Sequence, residues 1–461
     1  MKTPILKTLT RILTLCALSA SALNVFATSK VVTSSTTETG ASYDDSDTTT
    51  QAALNVTTNG VTYTGTNITL SATNHGLDED AIGNGAYIDN GASLSLTGAL
   101  ISTSGTYGHG ILITNASSGT LNNVNITKTG YIGHGVYVIK DSSLLLTGGT
   151  ISTSDFVAVG VHLKTRSSGT VNNVTIKTEG ENGHGVTVSS SATLLLTGGS
   201  ITTSGTSAYG VMLSQGNVIV NNMTIETTGN LGHGVQIAAN STLLLTDSDI
   251  STTGSNANAL NIITSSTVTA NLNNNTVTGN ILASGTSTIT LSAVNGTVIT
   301  GNVTSTTGAT IGITLTGAGT KLVGNVTRDA TSEINVTVGA NALFHGAGTL
   351  DNLTLASGAI LGYADDVLLV TDSITIGDNI IIDFSSLTDL GNYQVLDWSD
   401  ATITGGTVSA DQFTIAGDGV EGTFNVDNGK LVFNATAVPE PSTWFLIGLG
   451  LGALALIRRR I

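Results

Sequence analysis

The strongest constraint on the fold is an internal repeat of 25 residues. A glycine opens each repeat, and the spacing shortens by one residue only at the last of them. These glycines are Gly85, Gly110, Gly135, Gly160, Gly185, Gly210 and Gly234. The segments between them align almost without gaps. A repeat of this length indicates a stack of similar units, each of which contacts mainly its neighbours.

Three apolar positions recur inside each repeat. In the repeat that opens at Gly135 they are occupied by Val136, Leu146 and Ile151. The last position holds isoleucine throughout: Ile101, Ile126, Ile151, Ile176, Ile201, Ile225 and Ile250. Apolar runs this short cannot bury a face alone. We therefore expect three short strands per repeat, each paired with the same strand of the neighbouring repeats.

Stacking of such units predicts an all-β protein, a single-stranded, right-handed parallel β-helix with three short strands per rung. A leucine-rich repeat has a similar period, but it needs a helix or comparable arm opposite each strand, and no such segment is visible. The repeats alternate between Leu-Thr-Gly-Gly, as at 146–149, and an Asn-Asn pair, as at Asn122-Asn123. We interpret both as turns, because asparagine tolerates the left-handed backbone conformation.

Composition supports this assignment and excludes one class of partner. All three prolines, Pro4, Pro439 and Pro441, lie near the ends, and 40% of the residues are hydrophobic, which argues against disorder. Without residues 1–27 and 437–461, the chain has nine basic and 30 acidic residues, a net charge of −21. A body this acidic should repel nucleic acid and anionic lipid, so we expect no nucleic-acid partner.

Departures from the repeat divide the chain into five parts. We expect a signal peptide at 1–27, a Thr/Asp-rich loose segment or N-terminal cap at 28–54, the parallel β-helix at 55–350, a C-terminal capping β region at 351–436, and a sorting signal at 437–461. The capping region is assigned because a solenoid needs an atypical unit over its last rung. After about residue 260 the rungs should shorten to 22 or 23 residues.

Residues 1–27 have the parts of a signal peptide. Lys2, Lys7 and Arg11 precede a short apolar segment, expected to be helical, and cleavage is expected after Ala27. The only cysteine, Cys16, lies within this segment. The mature body would therefore have neither a disulfide nor thiol chemistry.

The C-terminal residues also have three parts. Val438-Pro439-Glu440-Pro441 is a motif that its prolines keep out of helix and central strand. The apolar segment 444–457, expected to form a short helix, has 14 residues. That is fewer than the ~20 of a stable span, so we expect transient insertion into the inner membrane. Arg458-Arg459-Arg460 would act as a stop-transfer signal on the cytoplasmic side.

This order of motif, apolar segment and basic stop resembles the PEP-CTERM sorting signal. The resemblance implies a Gram-negative-type cell, recognition by an exosortase-type sorting enzyme in the inner membrane, and delivery to the cell surface or extracellular matrix. A plain tail anchor is the alternative. The body resembles the passenger β-helices of autotransporters and, more loosely, pectin-lyase-like solenoids, in rung period and strand pattern over about 55–436.

Histidines at the ends of four repeats are the clearest candidates for chemistry. They lie between two glycines at His109, His134, His184 and His233, and the first two, on adjacent rungs, could share a metal ion. Val159 and Tyr209 interrupt the column, and no carboxylate recurs beside it. We therefore expect corner histidines that bond to the backbone, and we predict no metal-binding, cofactor-binding or catalytic residue.

A second cluster carries basic residues. His162, Lys164 and Arg166 alternate on one predicted strand and should point outward together, and Asp141 should pair with Arg166 across one rung. Polysaccharide lyases and hydrolases need clustered acids beside such a group, and these are not evident. We therefore expect a non-enzymatic structural or adhesin-like surface protein with exopolysaccharide or other cell-surface glycans as partners. A polysaccharide lyase or hydrolase is the alternative.

Overall fold

The computed structural model describes residues 27–45, 52–73, 83–417 and 419–437. Within these ranges nearly all regular structure is β-strand, and the strands stack in parallel around one continuous apolar core. This confirms the all-β parallel β-helix that the repeat predicts. The predicted signal helix, the apolar segment 444–457 and its predicted helix lie outside the described residues.

The first sheet contains the strands that follow the repeat glycines. Its register pairs Val136 with Val161 and Val161 with Val186, so equivalent positions of successive repeats lie side by side. Its strands are Lys30–Val32, Ala52–Val56, Asn84–Ile88, Ile111–Ile113, Val136–Val138, Val161–Leu163, Val186–Ser189, Val211–Ser214, Val235–Ala238, Asn258–Ile262, Asn280–Ala283, Val303–Ser305 and Val326–Arg328.

The second and third sheets follow in the same order within each rung. Strands of the second sheet alone are Thr36–Thr39, Thr62–Thr66, Ser93–Thr97, Asn217–Asn221, Thr242–Thr246, Thr267–Asn273, Thr288–Val294, Thr310–Thr316, Glu333–Val338 and Thr402–Thr404. Those of the third sheet alone are Ala27–Thr28, Ser42–Asp45, Thr69–Ala72, Leu100–Thr103, Thr224–Thr227, Asp249–Thr252, Thr276–Thr278, Val298–Thr300, Lys321–Val323, Leu343–His345, Ile360–Gly362, Ile380–Asp383 and Phe413–Ala416.

In four consecutive rungs the second and third strands are continuous: Ser118–Lys128, Ser143–Thr153, Ser168–Thr178 and Thr193–Thr203. The bend between the two sheets falls in the left-handed region, with φ of +52° at Asn123 and +63° at Gly148. A Cβ atom on Gly148 would lie 2.2 Å from Oδ1 of Asn123. The predicted turn is confirmed, and the Asn123 side chain leaves no room for a Cβ atom at position 148 of the next rung.

The inward positions of all three sheets form the core. Val136, Leu146 and Ile151 are at most 1% exposed, and the residues paired with them in neighbouring rungs are also buried. Burial of each such aliphatic side chain stabilises the fold by about 1.5–3 kcal/mol. Because the columns continue from rung to rung, the core is a rod rather than a set of separate clusters.

The N-terminal rung differs from the expectation for residues 28–54. Lys30–Val32, Thr36–Thr39 and Ser42–Asp45 pair in parallel with the strands of the next rung and form a rung of the solenoid, whereas a loose segment or N-terminal cap is predicted for 28–54. The reason is that Val32 and Tyr43 enter the core and continue its columns. The pattern is not evident in the sequence, because the spacing between paired positions varies from 24 to 27 residues here and most residues of the rung are polar.

Polar side chains form a hydrogen-bond network at the first described rung. Glu38 accepts hydrogen bonds from Nζ of Lys30 at 3.0 Å, from the hydroxyl of Tyr63 at 2.9 Å, and from the hydroxyl of Tyr43. Inward-pointing charges at an uncovered edge disfavour strand pairing with another chain. The network therefore places a charged carboxylate and its partners at the first described rung.

At the other end, parallel pairing runs past residue 350, the predicted border of the solenoid. The continuing strands are Gly348–Leu355 and Leu368–Ile376, each of which passes from the first sheet to the second. Three strands then pair antiparallel: Gly391–Asp397, Glu421–Asp427 and Lys430–Ala437. A short 3-10 helix at Ala410–Gln412 lies between the first two of them in sequence. Phe384 and Phe433, whose ring centroids are 4.3 Å apart, join this antiparallel unit to the last rungs.

Candidate functional site

The corner histidines form a ladder along the solenoid. Each accepts a hydrogen bond at Nδ1 from the backbone N–H of the residue 25 positions later. The pairs are His109 with His134 (3.0 Å), His134 with Val159 (3.3 Å), His184 with Tyr209 (3.0 Å) and His233 with Asn258 (2.9 Å). This is the backbone-bonded corner that the sequence predicts.

These contacts fix the protonation state of the rings. An Nδ1 atom that accepts a hydrogen bond carries no proton, so each of these imidazoles is the neutral Nε2–H tautomer. Burial lowers the pKa of His184 to about 4 and also lowers the pKa of His233. The same cause, with smaller contributions from His162 and His109, holds the pKa of His134 well below its usual range.

The rings stack into two groups separated by Val159. In one, His134 contacts His109, Tyr137 and His162 with centroid distances of 5.1, 4.9 and 4.8 Å. In the other, Tyr209 lies between His184 and His233 at 4.6 and 5.2 Å. The tyrosine that interrupts the column in sequence thus continues the stack in space.

The proposal that His109 and His134 share a metal ion has no support in this geometry. Their Nδ1 lone pairs already accept backbone hydrogen bonds, which leaves them unavailable to a cation. Within the part of the chain that the structure describes, no group of three or more His, Cys, Asp or Glu side chains is arranged to hold a metal ion.

The basic cluster is not arranged as predicted. The strand Val161–Leu163 ends before Lys164, and Arg166 adopts a left-handed conformation with φ of +57°. His162 turns toward His134 rather than joining the outward row, and Nδ1 of His162 lies 3.2 Å from Nε2 of His134. The prediction of one outward-facing strand is wrong, because the strand ends at Leu163, three residues before Arg166.

The ion pair between Asp141 and Arg166 is confirmed. Nε and one terminal nitrogen of Arg166 donate to the two carboxylate oxygens of Asp141, both at 2.7 Å. The pair joins equivalent turns of adjacent rungs and lowers the pKa of the Asp141 carboxyl through the hydrogen bonds from Arg166. Arg166 is therefore held in place by a carboxylate of the neighbouring turn.

The structure also shows a groove that sequence analysis missed. It lies open on the outer face of the second sheet and has a volume of about 480 Å³. Its apolar ridge consists of Leu195, Ile219 and Leu244, which occupy one column in three consecutive rungs. Its polar row consists of Thr193, Asn217 and Thr242, two residues earlier in the same strands. Ile219 is 44% exposed.

A sequence signal for this groove was present. The strands 194–196, 218–220 and 243–245 each contain three consecutive apolar residues. Successive side chains of a strand point to opposite faces, so the middle residue of each triplet must face outward when its neighbours are buried. The exposed column is therefore predictable from these triplets, although the three recurring apolar positions of the repeat concern only the inward side chains.

Comparison with known proteins supports the C-terminal assignment. Residues 437–460 match the family model of the PEP-CTERM protein-sorting motif. The fold is similar to a chain in the cryo-EM structure of the Vag8-C1 inhibitor complex, with 15% sequence identity and a TM-score of 0.45 over 85% of this chain and 97% of that chain. No curated protein matches the sequence.

The motif implies recognition by an exosortase-type sorting system and export through the membrane to the surface of a Gram-negative-type bacterium. Val438-Pro439-Glu440-Pro441 and Arg458-Arg459-Arg460 lie outside the described residues, and their separate roles stay predictions, as does cleavage after Ala27. Among the described residues, no helix is long and apolar enough to cross a membrane. The chain thus joins a parallel β-solenoid body to a PEP-CTERM protein-sorting motif at residues 437–460.

Proposed function

We propose that the protein is a non-enzymatic structural or adhesive component of the cell surface or exopolysaccharide matrix, and that it contacts glycans through its outer faces. The observation that carries this proposal is a column of exposed hydroxyl and amide side chains in six successive rungs of the second sheet. Its members are Ser143, Ser168, Thr193, Asn217, Thr242 and Thr267.

The mechanism of such a protein is geometric. With about 14 turns spaced ~4.8 Å apart, the rod is on the order of 70 Å long. Each hydroxyl or amide contributes only a weak contact, but a polysaccharide that engages several rungs gains from their combined effective concentration. Rigid spacing keeps all these groups aligned before the ligand arrives, which limits the entropy lost on binding.

Two observations favour this role over a polysaccharide lyase or hydrolase. The best candidate for a catalytic cationic group, Arg166, donates hydrogen bonds to both carboxylate oxygens of Asp141. The corner histidines are neutral and accept backbone hydrogen bonds, so their Nδ1 atoms cannot act as general bases. Release of unsaturated or reducing-end products from uronate and neutral glycans, abolished by Arg166→Ala, would instead establish the enzyme.

Deletion of the gene tests the proposal in the native cell. We expect weaker surface attachment, less cell aggregation and a looser matrix, because the rod would no longer join glycan to the cell surface. Complementation with the wild-type gene and with an Arg166→Ala variant should restore these properties equally. Attachment, aggregation and matrix that stay unchanged in the deletion strain would contradict the proposal.

A further inference from the structure

We propose that the groove between the apolar ridge (Leu195, Ile219, Leu244) and the polar row (Thr193, Asn217, Thr242) binds one strand of an uncharged polysaccharide, laid along the solenoid axis. This inference rests on the proposed function and names the site and the class of glycan.

The groove is a discrete feature rather than a general property of the sheet. In the column of the ridge, Thr170 precedes Leu195 and Thr269 follows Leu244, so threonine bounds the apolar side chains at both ends. The ridge therefore spans three rungs, with its side chains about 4.8 Å apart along the axis. The polar row runs parallel to it over the same three rungs.

The two sides of the groove match the two kinds of surface on a sugar ring. A pyranose has an apolar face of C–H groups and a rim of hydroxyls. The aliphatic side chains of the ridge can pack against the ring face. The threonine hydroxyls and the asparagine amide of the row can donate hydrogen bonds to the hydroxyls of the rim and accept hydrogen bonds from them. A chain laid along the axis repeats these contacts at each rung.

Charge favours an uncharged glycan over an acidic one. No charged residue lines the groove. The chain without its two ends carries a net charge of −21. A polymer of uronate or sulfated sugars would be repelled by this field without a cation in the groove to offset the repulsion.

The size of the ridge argues against a protein partner or a second copy of this chain. Stable protein interfaces bury about 800 Å² on each side around a central apolar patch. Three aliphatic side chains in one column, of which Ile219 is 44% exposed, provide far less apolar area than such an interface needs. A narrow, extended ligand fits these dimensions better.

The test variant combines Leu195→Thr, Ile219→Thr and Leu244→Thr. Threonine already occupies this column at 120, 170 and 269, so the substitutions keep the strand propensity and leave the core unchanged. Leu145→Thr is the matched control, because Leu145 lies in the same column and is 42% exposed but does not line the groove. An unchanged melting temperature would show that both variants are folded.

The probes are two pools of extracellular polysaccharide from the producing cell, separated by anion exchange into uncharged and acidic fractions. Affinity electrophoresis should show retardation of the wild type by the uncharged pool, and the triple variant should bind about tenfold more weakly. The Leu145→Thr control should bind as the wild type does.

Four results would overturn the inference. Three are equal binding of the uncharged pool by wild type and triple variant, binding of the acidic pool alone, and no binding of either pool. The fourth is a wild-type dimer, detected by sedimentation, that the triple variant dissociates. In each case the deletion phenotype still decides the proposed function separately, because it does not depend on the groove.

Discussion

Nε2 of His134 lies 3.2 Å from Nδ1 of His162, although the two residues are 28 positions apart in sequence. Because Nδ1 of His134 accepts a hydrogen bond from the amide of Val159, the ring proton resides on Nε2. Nε2–H therefore donates a hydrogen bond to Nδ1 of His162. Burial, with a smaller contribution from the charge of Lys164, lowers the pKa of His162 to about 3. This contact therefore exists only while Nδ1 of His162 is unprotonated, and the hydrogen bond from Val159 exists only while His134 is neutral.

This arrangement predicts a loss of stability on mild acidification. An unfolded histidine binds a proton near pH 6.5, whereas His162 and His184 in the fold do so only at about 3 and 4. Between these values the unfolded state binds more protons, so the free energy of unfolding should fall as the pH decreases from about 6.5 to about 4. Above pH 6.5 the stability contributed by the neutral rings is fully present.

Thermal unfolding at several pH values measures this effect. We expect His162→Gln and His184→Gln to reduce the drop in melting temperature between pH 7 and pH 4.5, compared with the wild type. His345→Gln, at a half-buried histidine outside the stack, serves as the control. Parallel curves for all four proteins would contradict the assignment of buried, neutral imidazoles.

Two glycines with the same φ distinguish the cost of a steric clash from the cost of the backbone conformation alone. Gly149 and Gly308 both have φ of +85°, but a Cβ on Gly149 would lie 2.2 Å from the carbonyl oxygen of Val124, whereas Gly308 has no atom within 4 Å of that position. Gly308→Ala should lower the free energy of unfolding by about 1 kcal/mol, the cost of the backbone conformation alone.

We expect Gly149→Ala to cost about 3 kcal/mol or more, since the backbone of the adjacent rung must also move. Chemical denaturation of both variants gives the comparison. Equal losses would mean that the close approach of successive rungs at the bend does not limit the sequence.

Lys128 replaces threonine in a column where threonine is otherwise the rule. At the equivalent corners, Thr153, Thr178, Thr203 and Thr227 each donate their hydroxyl to a carbonyl five residues later, at 2.6 to 2.8 Å. The fully buried ammonium of Lys128 instead contacts the carbonyls of Gly105, at 3.0 Å, and Gly130. Burial lowers the pKa of Lys128 to about 8.

We predict that Lys128→Thr stabilises the protein near pH 7, by about 1 kcal/mol, because a buried charge is replaced by the hydroxyl that this corner normally has. The difference from the wild type should shrink as the pH rises above 8, where Lys128 becomes neutral. Melting temperatures at pH 7 and pH 9.5 test both statements. A variant that is less stable at pH 7 would show that the ammonium is required.

Most of the solenoid could be predicted because the same residue pattern recurs in successive rungs. The spacing of the glycines and of the isoleucine column gave the rung, the register and the inward face of each strand, and the observed pairing of Ile126 with Ile151 and Ile151 with Ile176 agrees with it. The turn at Asn123 was also predictable, because few residues other than glycine and asparagine adopt its φ readily.

The Arg166 turn, the N-terminal rung and the groove depend on residues that the repeat pattern does not describe. Whether Arg166 continues a strand or enters a turn is decided by the turn of the neighbouring rung, where Asp141 also has a positive φ. The N-terminal rung is stabilised by Glu38 and its partners, which act at an edge rather than in the repeating core. The groove is formed by outward side chains, whereas the repeat is defined by the inward ones.

The most direct test of the central claim, an exported β-solenoid addressed by its C-terminal motif, is surface delivery in the native cell. Wild-type protein and a variant with Pro439→Ala, Glu440→Ala and Pro441→Ala would be compared by protease accessibility on intact cells and by membrane fractionation. We expect accessible wild-type protein at the surface or in the matrix, and retention of the variant in the inner membrane. Equal surface delivery of both proteins would contradict the account.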